Sequence, residues 1–207
     1  MPLIESDYLP QTSSGLFPGP WLVFAPHPDD ETYGMGGSIA AARSAGIEVG
    51  VVILTDGALG GAAVDDLVQI REEEVSAAVA ALGGASLIFW RRPDRGLTPD
   101  AATIGLAAAL LEAHAGGTAF FPSPLEPHPD HRATAVLVWE ALRQCHFPLT
   151  PVNYEISVQG PCNRLLDITP WIEVKRRAMA VYQTQEAQRP YARRVLALNE
   201  TRSWSLP

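Results

Sequence analysis

Apolar residues along this chain fall into short runs separated by longer amphipathic stretches. Trp21–Ala25, Val49–Leu54, Ser86–Trp90, Ala119–Phe121 and Val152–Val158 have strand length and favour β-branched and aromatic side chains. Between and around them Gly37–Ala45, Asp65–Leu82, Thr103–Ala115 and Arg132–Cys145 carry helical spacing, and a last helical region spans about Pro170–Leu198. Gly46, Gly83-Gly84 and Gly116-Gly117 stand where three of the helices should close. Residues 1–19, rich in Pro, Ser and Gly, read as an irregular lead-in. Alternation of strand and helix predicts one α/β domain over 1–207. Its core is an open, mostly parallel, Rossmann-like sheet with helices on both faces.

In such sheets, sites form beyond the carboxyl ends of the strands. His27, Asp29 and Asp30 follow the first strand, and Thr55-Asp-Gly57 follows the second. Arg91–Gly96 follows the third, and Pro122–His131 the fourth. The polar residues therefore converge on one sheet edge.

Pro26-His-Pro-Asp-Asp-Glu31 ends a buried strand with a histidine and three successive acids, which is costly unless a cation sits among them. Pro127-His-Pro-Asp-His-Arg132 supplies further imidazoles. His27 and Asp30 can reach one ion from a single turn, and His131 would complete three ligands with one open position, the pattern of a catalytic zinc site. Zinc would bring the pKa of a water toward ~7. Asp29 is then the candidate general base. His128 would face the same cavity as an imidazolium, stabilising an oxyanion and protonating a leaving amine. Asp130 would orient His128 through the ring's other nitrogen, and Glu31 would hydrogen-bond a ligand. His114 and His146, near helix ends, fit a dipole-complementing role. Trp90 and Trp139 read as core.

Composition narrows the partners. A net charge of −8 without a Lys/Arg run argues against nucleic acid. No apolar run approaches a membrane span, and the start lacks a leader pattern, so a cytoplasmic protein is expected. Two cysteines, Cys145 and Cys162, lack metal-type spacing. A dinucleotide fingerprint fails, because Ile39 stands where Gly or Ala is needed after Gly34-Met-Gly-Gly37. Gly36-Gly-Ser-Ile-Ala40 only approaches a nucleophile elbow. Two histidines and a carboxylate also suit a nonhaem iron oxygenase, but the spare Asp29 favours hydrolysis. A non-enzymatic metal-binding protein would not need Asp29.

Pro26-His-Pro-Asp-Asp-Glu31 together with His128-Pro-Asp-His131 resembles the PIG-L/LmbE family of zinc-dependent N-acetylglucosaminyl de-N-acetylases. Thr55-Asp-Gly57, Arg71-Glu-Glu-Glu74 and Tyr182-Gln-Thr-Gln185 extend the resemblance over most of the chain. The resemblance implies one zinc per chain, or Fe2+ or another divalent metal, on His27, Asp30 and His131. It implies Asp29 as base, His128 as stabiliser or acid, and substrate contacts from Arg71 and Asp94. The implied reaction removes an N-acetyl group from an amino-sugar substrate. The alternative is deacylation of another amide, such as a glycopeptide or natural-product intermediate. Some relatives carry more sequence beyond the region of Leu198–Arg202, so the resemblance implies that a substrate-covering segment is either absent or supplied by another subunit of a homo-oligomer.

Overall fold

The computed structural model describes residues 11–13, 15–61 and 64–202; most of the expected lead-in, 1–10, lies outside them. The elements run β1 Gln11–Ser13, β2 Trp21–Ala25, α1 Asp30–Ser44, β3 Val49–Thr55, α2 Leu67–Ala81, β4 Ser86–Arg92 and α3 Ala101–Glu112. They continue as β5 Thr118–Pro122, α4 Pro129–Gln144, β6 Thr150–Tyr154, β7 Arg164–Leu166, α5 Ile172–Met179, α6 Gln183–Glu186 and α7 Tyr191–Arg202. Five strands form one open sheet in the order β4-β3-β2-β5-β6, with every neighbouring pair parallel. β1 and β7 make a separate parallel pair.

Alternation along the central strands divides the core in two. Trp21, Val23 and Ala25 of β2 face a cluster built with α1, α2 and α5, including Ile39, Val75 and Met179. Leu22 and Phe24 face the opposite cluster with α3 and α4, including Leu111, Leu137 and Val138. Successive side chains of a strand point to opposite faces, so a continuous apolar run is what a sheet covered on both sides requires. Leu22 is fully buried, and its truncation to Ala should cost ~2–5 kcal/mol.

The glycines of α1 let it approach its neighbours. A Cβ on Gly36 would lie 3.2 Å from Lys175 Cγ, and one on Gly37 2.7 Å from Ile168 Cδ1. They are packing residues behind the site rather than a phosphate loop.

The structure moves several boundaries. α1 begins at Asp30 instead of Gly37, because tertiary burial overrides the poor helix propensity of Gly34-Met-Gly-Gly37. β6 stops at Tyr154 instead of reaching Val158, since the N–H groups of Ile156 and Ser157 leave the ladder for the Glu126 carboxylate. The last helical region is three helices, with Pro190 standing between α6 and α7. Trp90 packs against the second cluster, but Trp139 is not core: it is 53 % exposed on the outer face of α4. No helix among the described residues is long and apolar enough to cross a membrane.

Candidate active site

The carboxyl edge of the sheet gathers the two His-Pro-Asp clusters. β2 ends at Ala25, and α1 starts only five residues later with Asp30 in its first turn. β5 ends at Pro122, and α4 starts at Pro129. Proline suits that first helical position, where its missing N–H is no loss. His128 caps α4, its Nδ1 accepting the N–H of Asp130 at 3.2 Å.

Three atoms form a small triangle. Asp30 Oδ2 lies 3.0 Å from His27 Nδ1 and 3.1 Å from His131 Nε2, and the two nitrogens are 3.3 Å apart. Ligands spread tetrahedrally around an ion at about 2.0–2.1 Å sit roughly 3.3–3.4 Å from one another. The triangle therefore fits one divalent cation with little adjustment.

The far nitrogens of both histidines are held by carboxylates. His27 Nε2 faces Asp130 Oδ2 at 3.1 Å, and His131 Nδ1 faces Glu126 Oε2 at 3.3 Å. Each carboxylate is itself fixed: Asp130 accepts the N–H groups of Arg95 and Leu97, and Glu126 those of Ile156 and Ser157. Such partners set the ring tautomer and leave the inner nitrogen's lone pair for a metal. The two rings thus use opposite tautomers, Nδ1 inward for His27 and Nε2 inward for His131. A second grouping joins His27, Asp94, His128 and Asp130, but its carboxylates are already engaged by backbone N–H groups.

Charge gives the same answer. Burial opposes the imidazolium of His27, yet the carboxylates of Asp130, Asp30 and Asp94 outweigh it and raise its pKa well above the usual value. Burial opposes that of His131 too, but Asp30 and Glu126 raise it to about 9. For Asp30, burial pushes upward, and the two imidazoles overcome it and hold the carboxyl well below the ordinary range. An acid-rich site that draws protons onto both rings demands positive charge, which a divalent cation supplies in their place.

Asp29 stands apart from the triangle. Its Oδ2 accepts Arg71 Nη2 at 2.9 Å. Burial raises its pKa to about 6, with Arg71 pulling down and Asp30 pushing up. A carboxylate poised near neutrality suits a general base.

Some expected partners differ. The Asp130 carboxylate does not orient His128; it sits on His27, 103 residues away, and only its backbone N–H meets His128. Because His128 Nδ1 accepts that N–H, this geometry favours the neutral ring with its proton on Nε2 over the expected imidazolium. Burial and the neighbouring His27 and His131 also lower its pKa. Its ring lies 4.5 Å from that of His27 and 5.1 Å from that of His131. Arg71, expected to contact substrate, is engaged by the protein itself. Its Nη atoms donate to the carbonyls of Gly57, Gly60 and Pro28 and to Asp29. Gly57 must be glycine for this: its φ is +62°, and a Cβ would sit 2.3 Å from Arg71 Nη1. Asp94 turns inward, accepting Leu59 N–H, with Oδ1 3.5 Å from His27 Nε2. Glu31 does not touch a ligand; it accepts from the hydroxyls of Thr32 and Tyr182, and burial raises its pKa to about 7. Glu126 had no sequence signal beyond its place two residues before His128.

Known proteins are similar to this chain in sequence and fold. The chain is 28% identical over 202 residues to a diacetylchitobiose deacetylase of Thermococcus kodakarensis, covering 84% of this chain and 75% of that one. The crystal structure of the conserved protein TT1542 from Thermus thermophilus superposes with a TM-score of 0.75 at 28% identity, covering 86% of this chain and 85% of that one. That of GalB, the 4-carboxy-2-hydroxymuconate hydratase of Pseudomonas putida KT2440, gives 0.71 at 25% identity, covering 84% and 82%. Residues 22–142, which carry both His-Pro-Asp clusters and the sheet edge that unites them, match the family described as GlcNAc-PI de-N-acetylase, and the chain belongs to that PIG-L family.

Proposed function

We propose that the protein is a zinc-dependent deacetylase that hydrolyses the N-acetyl group of an N-acetylglucosamine-containing or related amino-sugar substrate. The observation that carries this reading is the triangle of His27 Nδ1, Asp30 Oδ2 and His131 Nε2, with a separate carboxylate, Asp29, beside it. The family and the Thermococcus relative's named activity support it. Zinc held there supplies a Lewis acid for the amide carbonyl and makes a water acidic enough to lose its proton near pH 7.

The chain's own residues would do the rest. Asp29 takes the proton of the attacking water on the oxygen that Arg71 leaves open. Arg71 fixes the carboxylate's direction from below. His128, neutral, donates its Nε2–H to the oxyanion that develops on the carbonyl oxygen. Asp29 then returns its proton to the leaving nitrogen, so acetate and a free amine depart. This assigns the acid step to Asp29 rather than His128.

The test is amine release from N-acetylglucosamine and N,N'-diacetylchitobiose, before and after chelation, with zinc and Fe2+ added back. Activity lost with the metal and restored by zinc is expected. Amine release that survives complete metal removal would overturn the mechanism. Amine released only from N-acylated glycopeptides would select the alternative deacylase. Hydration of an unsaturated acid with no amine release would favour the chemistry of the GalB likeness instead.

A further inference from the structure

Away from the metal triangle, a cavity of about 810 Å³ opens between α1, β5, β6, β7 and the ends of α5 and α7. Phe17, Met35, Phe120 and Val152 contribute apolar wall. Among the described residues its charged lining is Arg164, Lys175, Arg202 and Glu155. Glu155 is paired with Arg202, and the Arg164 guanidinium lies 4.2 Å over the Phe17 ring.

Lys175 is the unusual member. It is the only lysine in the sequence; the other fourteen basic residues are arginines. It is 1 % exposed and lines the cavity. Its Nζ donates to Asn199 Oδ1 at 2.8 Å, and no carboxylate among the described residues pairs with it. An ammonium has three donors, so two of them find no protein acceptor among the described residues. Asn199, with its oxygen taken by the lysine, keeps an amide NH2 to offer beside it. Burying an ammonium without a counter-charge is among the costlier things a fold can do. Burial lowers the amine's pKa to about 7, and only lysine, not arginine, can meet such a site by shedding its proton.

We propose that this cavity is a second ligand site, taking a small organic carboxylate with an apolar body, whose charged end meets Lys175 and Asn199. The apolar walls accept the body, and the buried Lys175 amine with the Asn199 amide meets the charge. The site is independent of the deacetylase reading, since none of these residues belongs to the metal centre.

A chain with one lysine makes the test direct. Protein labelled with 15N and 13C in lysine has a single side-chain amine signal. Sodium octanoate should shift it saturably, in metal-free and zinc-loaded protein alike. Lys175→Met should weaken octanoate binding, read by calorimetry, by about tenfold or more, the weight of a charge-assisted hydrogen bond. Ser38→Trp, a bulky change at another lining residue of the cavity, should abolish the shift, so a folding defect in one variant does not decide the matter. An amine signal unmoved at saturating octanoate, or equal affinity in Lys175→Met, would overturn the proposal. So would equal binding of octan-1-ol, which would make the cavity merely apolar. Inorganic phosphate binding as tightly as octanoate would do the same, by removing any role for the apolar body.

Discussion

The metal triangle and the Lys175 cavity are opposites in charge and in completeness. At the triangle, acids gather around two imidazoles, and each ring nitrogen has a partner within 3.3 Å. In the cavity, the buried amine of Lys175 has one neutral partner among the described residues. The first region is held in shape before anything binds. The second keeps a cation cheap only by letting it lose its proton. Both are buried polar clusters, yet one is organised for chemistry and the other for occupancy. Preorganisation shows in the supporting hydrogen bonds rather than in the charges themselves.

The strongest way to break the contrast is to remove a corner of the triangle. His27→Ala should lose metal, measured by elemental analysis, and activity together. Retention of a full equivalent of zinc would mean that the ion sits elsewhere. Next in size, Asp29→Asn should keep the metal and lower kcat by ~10²–10⁴, the usual weight of a positioned general base. If that change strips the metal instead, Asp29 is a ligand. Glu126→Gln tests the supporting layer. It should weaken metal affinity by about 10–100-fold while the fold persists, and Glu126→Asp should recover part of the loss. Unchanged affinity would reduce Glu126 to a tie between loops.

The smallest effect belongs to the other region. Lys175→Met should raise stability near pH 7 by on the order of 1–3 kcal/mol, a gain that fades toward pH 10. Below about 7 the amine is charged folded and unfolded alike, so the full burial penalty stands. Between about 7 and the ordinary lysine value of 10.5 the folded chain has shed a proton that the unfolded chain still holds. Stability then climbs with pH, and the variant's advantage disappears. Urea melts at pH 6.5 and 10 would show it; an advantage equal at both would rule out a desolvated amine.

How much of this could be read in the sequence depends on distance along the chain. The five main strands and the convergence of both His-Pro-Asp clusters follow from local patterns, because each cluster directly succeeds an apolar run. The tertiary partners do not. Asp130 looked like a companion of His128 because the two are adjacent; the fold turns it to His27, 103 residues earlier. Glu126 is a lone acid in a loop, and its meaning appears only when Ile156 and Ser157 arrive 30 and 31 residues later. Arg71 sits among acids on α2 but crosses to carbonyls of two loops and to Asp29, a route that helical spacing cannot reveal. The three-residue β1 and β7 are too short to show a period. Lys175 occupies one turn of an amphipathic helix, and nothing local marks it as buried.

Enclosing the chain's single lysine also shapes how the molecule meets the chemistry of its surroundings. Reagents that seek primary amines, whether acylating cofactors, reducing sugars or the activated esters of a coupling kit, find no lysine on the folded surface. The exposed basic face is written in guanidinium, which those reagents pass over at neutral pH. Lysine coupling is therefore confined to reagents that enter the cavity or meet an opened chain, and bulky activated esters should label Lys175 only as the fold opens.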